Sequence, residues 1–106
     1  MGKAKTDKIV REFVKRVKGG FGAEKIIFFG SRARGDHLAT SDYDFIVVSG
    51  RFRGIHFLSR PAAVYRAVLD LPASFDIICY TPEEFERKKR QLGMVREAVM
   101  QGTAYA

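Results

Sequence analysis

Cysteine is almost missing from this chain of 106 residues. Cys79 stands alone, so no intrachain disulfide can form, and a reducing, cytoplasmic setting is expected. Its neighbours in Ile77-Ile78-Cys79-Tyr80 are apolar, which points to a small buried side chain rather than a reactive thiol. Long apolar runs are missing too. None approaches the roughly 20 residues needed to span a bilayer, so no membrane partner is expected. After Met1-Gly2-Lys3-Ala4-Lys5 comes a charged, helix-like stretch instead of the apolar segment of a signal peptide. Histidine is scarce: His37 and His56 have no Cys or His companion at metal-ligand spacing, which argues against zinc. There is no Ser-His-Asp grouping, no internal repeat and no low-complexity segment.

What is present is a core. Hydrophobic residues make up 46% of the chain and nine are Phe, enough for a single domain over residues 1–106. That length leaves no room for both a catalytic module and an elaborate recognition domain, so a partner is expected to supply part of any site. The net charge of +7 comes from 19 Lys and Arg against 12 Asp and Glu. It is spread over helix faces (Lys8, Arg11, Lys15, Arg16 and Lys18, then Arg87 to Arg90), where solvated surface is the simplest explanation. A basic surface also suits nucleic acid, a triphosphate or an acidic protein. Aromatics are not interleaved with the charges on one stretch, so nucleic acid is possible but not favoured.

Periodicity outlines the elements. Ile9, Val10, Phe13, Val14 and Val17 share one face of a helix over 7–18, with Thr6 or Asp7 as cap and Gly19-Gly20 as stop. The run 25–29 reads as a buried strand, 43–48 as a second and 75–80 as a third. Between the first two lies a polar stretch, 31–41, with room for one helical turn. Residues 49–58 show no clear pattern. A helix is expected over 60–71, with Pro61 in its first turn and Pro72 as its end. Thr81-Pro82-Glu83-Glu84 has the form of a capping box opening a helix that Gly93 breaks, and 94–101 forms another. Tyr105 either closes the sheet edge or docks on a partner. The order describes an α/β (α+β) fold: a small mixed sheet of three or four strands flanked by helices.

The chemistry sits in Gly30-Ser31-Arg32-Ala33-Arg34-Gly35 and Ser41-Asp42-Tyr43-Asp44. Ser31 follows a strand and opens a helical turn, whose unpaired N–H groups can hold an anion, and Gly30 lets the backbone come close to it. Asp42 and Asp44 are two apart at the start of a strand, so both carboxylates share one face. Such a pair repels unless a cation lies between, and hard oxygen ligands suit Mg²⁺. A two-ion site needs a further ligand, for which Asp76 is the candidate. Antiparallel pairing would bring Ser31 to Asp42. Parallel pairing of the second and third strands, with the helix near 60–71 as crossover, would add Asp76. Taken singly these are ordinary features: Ser31 as a helix cap, Asp42 and Asp76 as turn residues. Their joint spacing is what is specific.

This spacing, Gly30-Ser31 followed after ten residues by Asp42-Tyr43-Asp44, resembles the signature of the DNA polymerase β-type nucleotidyltransferase superfamily. In particular it is similar to the minimal nucleotidyltransferases (MNT domains) of bacteria and archaea. Phe52-Arg53-Gly54-Ile55 and Phe75-Asp76-Ile77 through Tyr80-Thr81-Pro82-Glu83-Glu84-Phe85 extend the likeness over most of the chain from about residue 24.

The resemblance implies a polymerase β-like nucleotidyltransferase fold. Gly30 and Ser31 would hold a triphosphate, and Asp42, Asp44 and Asp76 would form the catalytic and metal-binding set for two Mg²⁺ ions. Asp76 would also help to deprotonate the acceptor. Arg32 and Arg34 could neutralise phosphate charge or serve as exposed structural arginines. The implied reaction transfers AMP from ATP to a hydroxyl, with a tyrosine of a HEPN-type RNase toxin as acceptor and this chain as antitoxin. The alternatives are a nucleotide- or partner-binding module without turnover, and transfer to RNA ends or a small molecule. Self-association into a homo-oligomer is compatible with all of these.

Overall fold

A computed structural model of the chain describes residues 2–38 and 40–105, with side chains described from Lys8 onward. The elements run α1 (Gly2–Phe21), β1 (Lys25–Phe29), α2 (Ser31–Arg34), β2 (Tyr43–Val48), α3 (Arg60–Ala67), β3 (Phe75–Tyr80), α4 (Pro82–Lys89), α5 (Met94–Gln101) and β4 (Thr103–Tyr105). Two 3₁₀ turns, Gly50–Phe52 and Phe57–Ser59, fill the stretch that showed no pattern in sequence. The strands form one mixed sheet in the order β3-β2-β1-β4. β1 is antiparallel to β2 and to β4, whereas β2 and β3 are parallel and α3 lies in the crossover between them. The expected α+β architecture is therefore present, with four strands. Tyr105 pairs with Ile26 and closes the sheet edge.

Several helix limits differ from the sequence reading. α1 begins at Gly2 and passes through Gly19-Gly20 to Phe21. The stop lies one residue later, at Gly22, whose positive φ of 57° and N–H bond to the Lys18 carbonyl end the helix. Glycine in a last turn weakens a helix without breaking it, and Phe21 packing on Phe52 secures the end. The expected caps Thr6 and Asp7 fall within backbone that is already helical, and their side chains lie outside the described set. α3 stops at Ala67, not near 71: Val68 leaves helical dihedrals, and the chain continues in tight turns bonded Val68 N–H to Tyr65 and Leu71 N–H to Val68. α4 likewise ends at Lys89, which leaves Leu92 outside it and exposed. Its start is as expected, a capping box between Thr81 and Glu84 with Pro82 in the first turn.

The alternation of side chains divides the sheet into two faces. Phe28, Tyr43, Phe45, Val47, Ile77 and Cys79 point to the side covered by α1 and α3, where Phe13 stacks on Phe45 with ring centroids 3.8 Å apart. Ile27, Ile46, Val48 and Tyr80 point to the other side, covered by Phe85 of α4 and by Val95 and Ala98 of α5. This second cover is partial. By the same alternation Asp44 and Asp76 belong to the second face, at the end where Asp76 is exposed and Asp44 is half-buried.

Two ion pairs join the crossover to α4, the exposed Arg53–Glu83 and the more buried Arg60–Glu84. Arg60 is buried and donates to Glu84 at 2.6 and 3.2 Å, and to the carbonyls of Ile55 and Cys79. All of its planar fork is engaged, which is the condition for carrying a guanidinium into a core.

Candidate active site

The site is built where β1 ends and where β2 and β3 begin. In β2–β3 pairing Asp44 stands directly opposite Asp76, and in β1–β2 pairing Phe29 stands opposite Asp44. Asp42 lies just before β2. Burial pushes the Asp44 carboxyl up from the ordinary carboxylate range, and the charges of Asp76 and then Asp42 push it further, against a smaller opposing effect of Arg34. The sheet thus brings the three carboxylates near enough to repel through Asp44.

Gly30 occupies the corner between β1 and α2 with φ 84° and ψ −166°. A Cβ built there would overlap Oδ2 of Asp44, so only glycine lets the turn lie against the carboxylate. The short helix α2 begins at Ser31 with Gly30 as its N-cap and no side-chain cap bond, so the Ser31 hydroxyl is not used in that way. Its first N–H groups have no carbonyl within the helix to bond.

The two arginines of α2 diverge. Arg32 donates to the Ser41 carbonyl at 2.7 Å and to the Tyr43 hydroxyl, and its guanidinium lies 4.3 Å from the centre of the Tyr43 ring. It fastens the loop before β2 onto α2. Arg34 is paired with Asp36 at 3.2 Å, and both are exposed. Arg34 also lines a cleft of about 340 Å³ together with Phe29 and Gly30; the opposite wall is α5, through Met94, Glu97 and Gln101. Gln101 donates to Glu97 at 3.0 Å. Nothing in the sequence singles out this wall. An amphipathic helix with Glu and Gln four apart carries no chemical signature; Val95 and Ala98 packing on the sheet, and Gly102 lying close to the Ala98 and Phe28 carbonyls, bring α5 to the mouth of the site.

The donors suit Mg²⁺ better than a softer metal. Among the described residues no group of three His, Cys, Asp or Glu side chains is gathered at metal-ligand spacing, and Asp42, Asp44 and Asp76 do not form one. Asp44 and Asp76 side by side, with Asp44 held short of compensating charge, fit an ion that takes one or two protein carboxylates and completes its shell with water and phosphate oxygens.

Comparisons with known proteins agree with this architecture. Residues 7–102 match the family described as the nucleotidyltransferase domain. A crystal structure of a protein from Sulfolobus solfataricus, provisionally assigned as a nucleotidyltransferase, is similar at 31% identity and a TM-score of 0.64. The match covers 81% of this chain and 76% of that one. BolA1 from Arabidopsis thaliana shares the fold alone, at 16% identity and a TM-score of 0.59 over 72% of this chain and 94% of that one. No curated protein matches the chain. With nearly its whole length matched, the chain belongs to the nucleotidyltransferase domain family, whose general reaction is the transfer of a nucleotide.

Proposed function

We propose that the chain transfers AMP from ATP to a hydroxyl, with Mg²⁺ and the carboxylates of Asp42, Asp44 and Asp76, and that the acceptor is carried by a partner protein. The observation that carries this reading is the direct pairing of Asp44 with Asp76 beside the Gly30 corner. When bound, Mg²⁺ would neutralise phosphate charge and offset the repulsion among the carboxylates. Gly30 and the N–H groups from Ser31 onward would seat the triphosphate, and the cleft beyond Arg34 has room for part of the nucleotide. Asp76, the more exposed of the paired carboxylates, would take the acceptor proton as the hydroxyl oxygen bonds to the α-phosphorus. The bond from that phosphorus to the bridging oxygen breaks, and pyrophosphate leaves. Positioning and charge neutralisation would supply most of the rate gain.

The likeness to minimal nucleotidyltransferases supports a tyrosine of a HEPN-type toxin as acceptor and an antitoxin role. The open face above Asp76 supports an acceptor that brings its own surface. The test is to incubate the protein with Mg²⁺, labelled ATP and the product of the neighbouring gene, and to follow label by intact-mass analysis. Label on the partner is expected. Label on tRNA or a small molecule, with none on protein, would overturn the assignment of acceptor. Loss of all transfer in wild type would sink the enzymatic reading itself and favour a module that binds without turnover.

A further inference from the structure

A second cleft, of about 400 Å³, lies at the far end of β3. It is lined by Tyr80, by Phe57 of the second 3₁₀ turn, and by Glu84, Arg87 and Lys88 of α4. Tyr80 is four residues beyond Asp76 on the same sheet face, which places it about 13 Å along the strand from that carboxylate. The cleft shares no lining residue with the one beside Gly30.

Its chemistry is mixed in a particular way. Phe57 is 40% exposed; its ring centre lies 5.5 Å from that of Tyr80 and 5.7 Å from the Arg60 guanidinium, and the apolar surface these leave uncovered borders the cleft. Arg87 and Lys88 are exposed, and among the described residues neither side chain has an ion-pair or hydrogen-bond partner. The carboxylate of Glu84 does not neutralise them, because both of its oxygens already accept from Arg60. The Tyr80 ring is buried, but its hydroxyl is open to solvent and has no hydrogen-bond partner among the described residues. A hydroxyl that solvent reaches and that nothing in the fold pairs, at the wall of a cleft, is free to bond a ligand seated there.

The geometry points to a second nucleotide-binding site: a base stacked on Phe57, a phosphate held by Arg87 and Lys88, and the Tyr80 hydroxyl bonded to the sugar or phosphate. Stacking on an exposed ring beside cations is how sequence-tolerant binding of single nucleotides and single strands is achieved. The ligand would be either a free nucleotide or one unit of a single strand.

Binding of AMP and of a labelled six-nucleotide adenosine RNA to the full chain, measured in EDTA by fluorescence anisotropy and competition, tests this. Phe57→Ala should weaken binding about tenfold, as should the surface double variant Arg87→Ala/Lys88→Ala, which leaves the core untouched. Asp44→Asn should change it by less than about twofold, since the first site is separate. Tight binding of the RNA with weak AMP competition assigns the site to a strand, and equal binding of AMP assigns it to free nucleotide. Binding that ignores both sets of substitutions, that disappears with Asp44→Asn, or that is absent for both probes overturns the proposal.

Discussion

No side chain fits between Gly30 and Asp44. The glycine has a backbone conformation with φ 84°, and any Cβ there would overlap the Asp44 carboxylate. The residue that would shape a phosphate-binding turn and the residue that would face a metal are therefore one steric unit.

Gly30→Ala is expected to reduce nucleotidyl transfer at least about 100-fold, because a displacement of about 1 Å at the reacting centre has that effect. The added strain at φ 84° and ψ −166°, a region essentially reserved to glycine, should also lower stability by about 1–3 kcal/mol. Steady-state rates alongside a thermal melt separate the two effects; near wild-type turnover would refute the steric argument.

Asp44→Asn should abolish transfer and at the same time raise the melting temperature at pH 7 in EDTA by a few degrees. Asp44 has its carboxyl raised by burial, then by Asp76 and Asp42, so folding favours its protonated form more than the unfolded chain does. That contribution is fully present below the ordinary value of 3.8 and is lost as pH rises through the raised one. The stabilisation by Asn should accordingly fade as pH falls through the raised value towards the ordinary 3.8 and Asp44 takes up its proton. Melts across pH 4 to 8 would show it, and a loss of stability at pH 7 would contradict it.

Glu84 behaves in the opposite sense. Its hydrogen bonds to Arg60 hold its carboxyl down at about 2, against an ordinary 4.5. Its contribution is present above 4.5 and is lost as pH falls through about 2, so wild type should lose stability across that window. Glu84→Gln should cost about 2–3 kcal/mol at pH 7, since Arg60 is left buried with a neutral partner, and should flatten the acid limb. Urea melts at pH 7 and at pH 3 would measure both; parallel acid limbs for the two proteins would sink the prediction.

Cys79 is fully buried, and burial pushes its thiol up to about 12. A thiol-selective reagent at pH 8 should leave the native protein unlabelled and should modify it once it is unfolded in denaturant. Rapid labelling of the native protein would show that β3 opens, or that the residue is not where the fold places it.

The strand assignments were legible because period-two patterning is local. Tyr43 and Phe45 alternate with Asp44, and Phe75 and Ile77 with Asp76, so the carboxylate face could be read before any pairing was known. The parallel pairing of β2 with β3 followed from both strands opening with a carboxylate, and it is present. Helix ends were less legible: Gly19-Gly20 and the stretch to Leu71 gave the expected punctuation, but packing of Phe21 and the turn at Val68 moved the limits.

By itself the sequence determined the order of elements, the Gly30-Ser31 corner and the carboxylates that repeat every second residue, because each depends on neighbours close along the chain. Tertiary structure alone decided that Asp44 faces Asp76 directly, while Asp42 stays just outside the strand. It also decided that Arg32 is turned to the Tyr43 loop, that α5 walls the first cleft, and that Tyr80 keeps an unpaired hydroxyl in the second. Those are contacts between segments far apart in the chain. They depend on the way two partly covered faces of one sheet are closed, which no local pattern records.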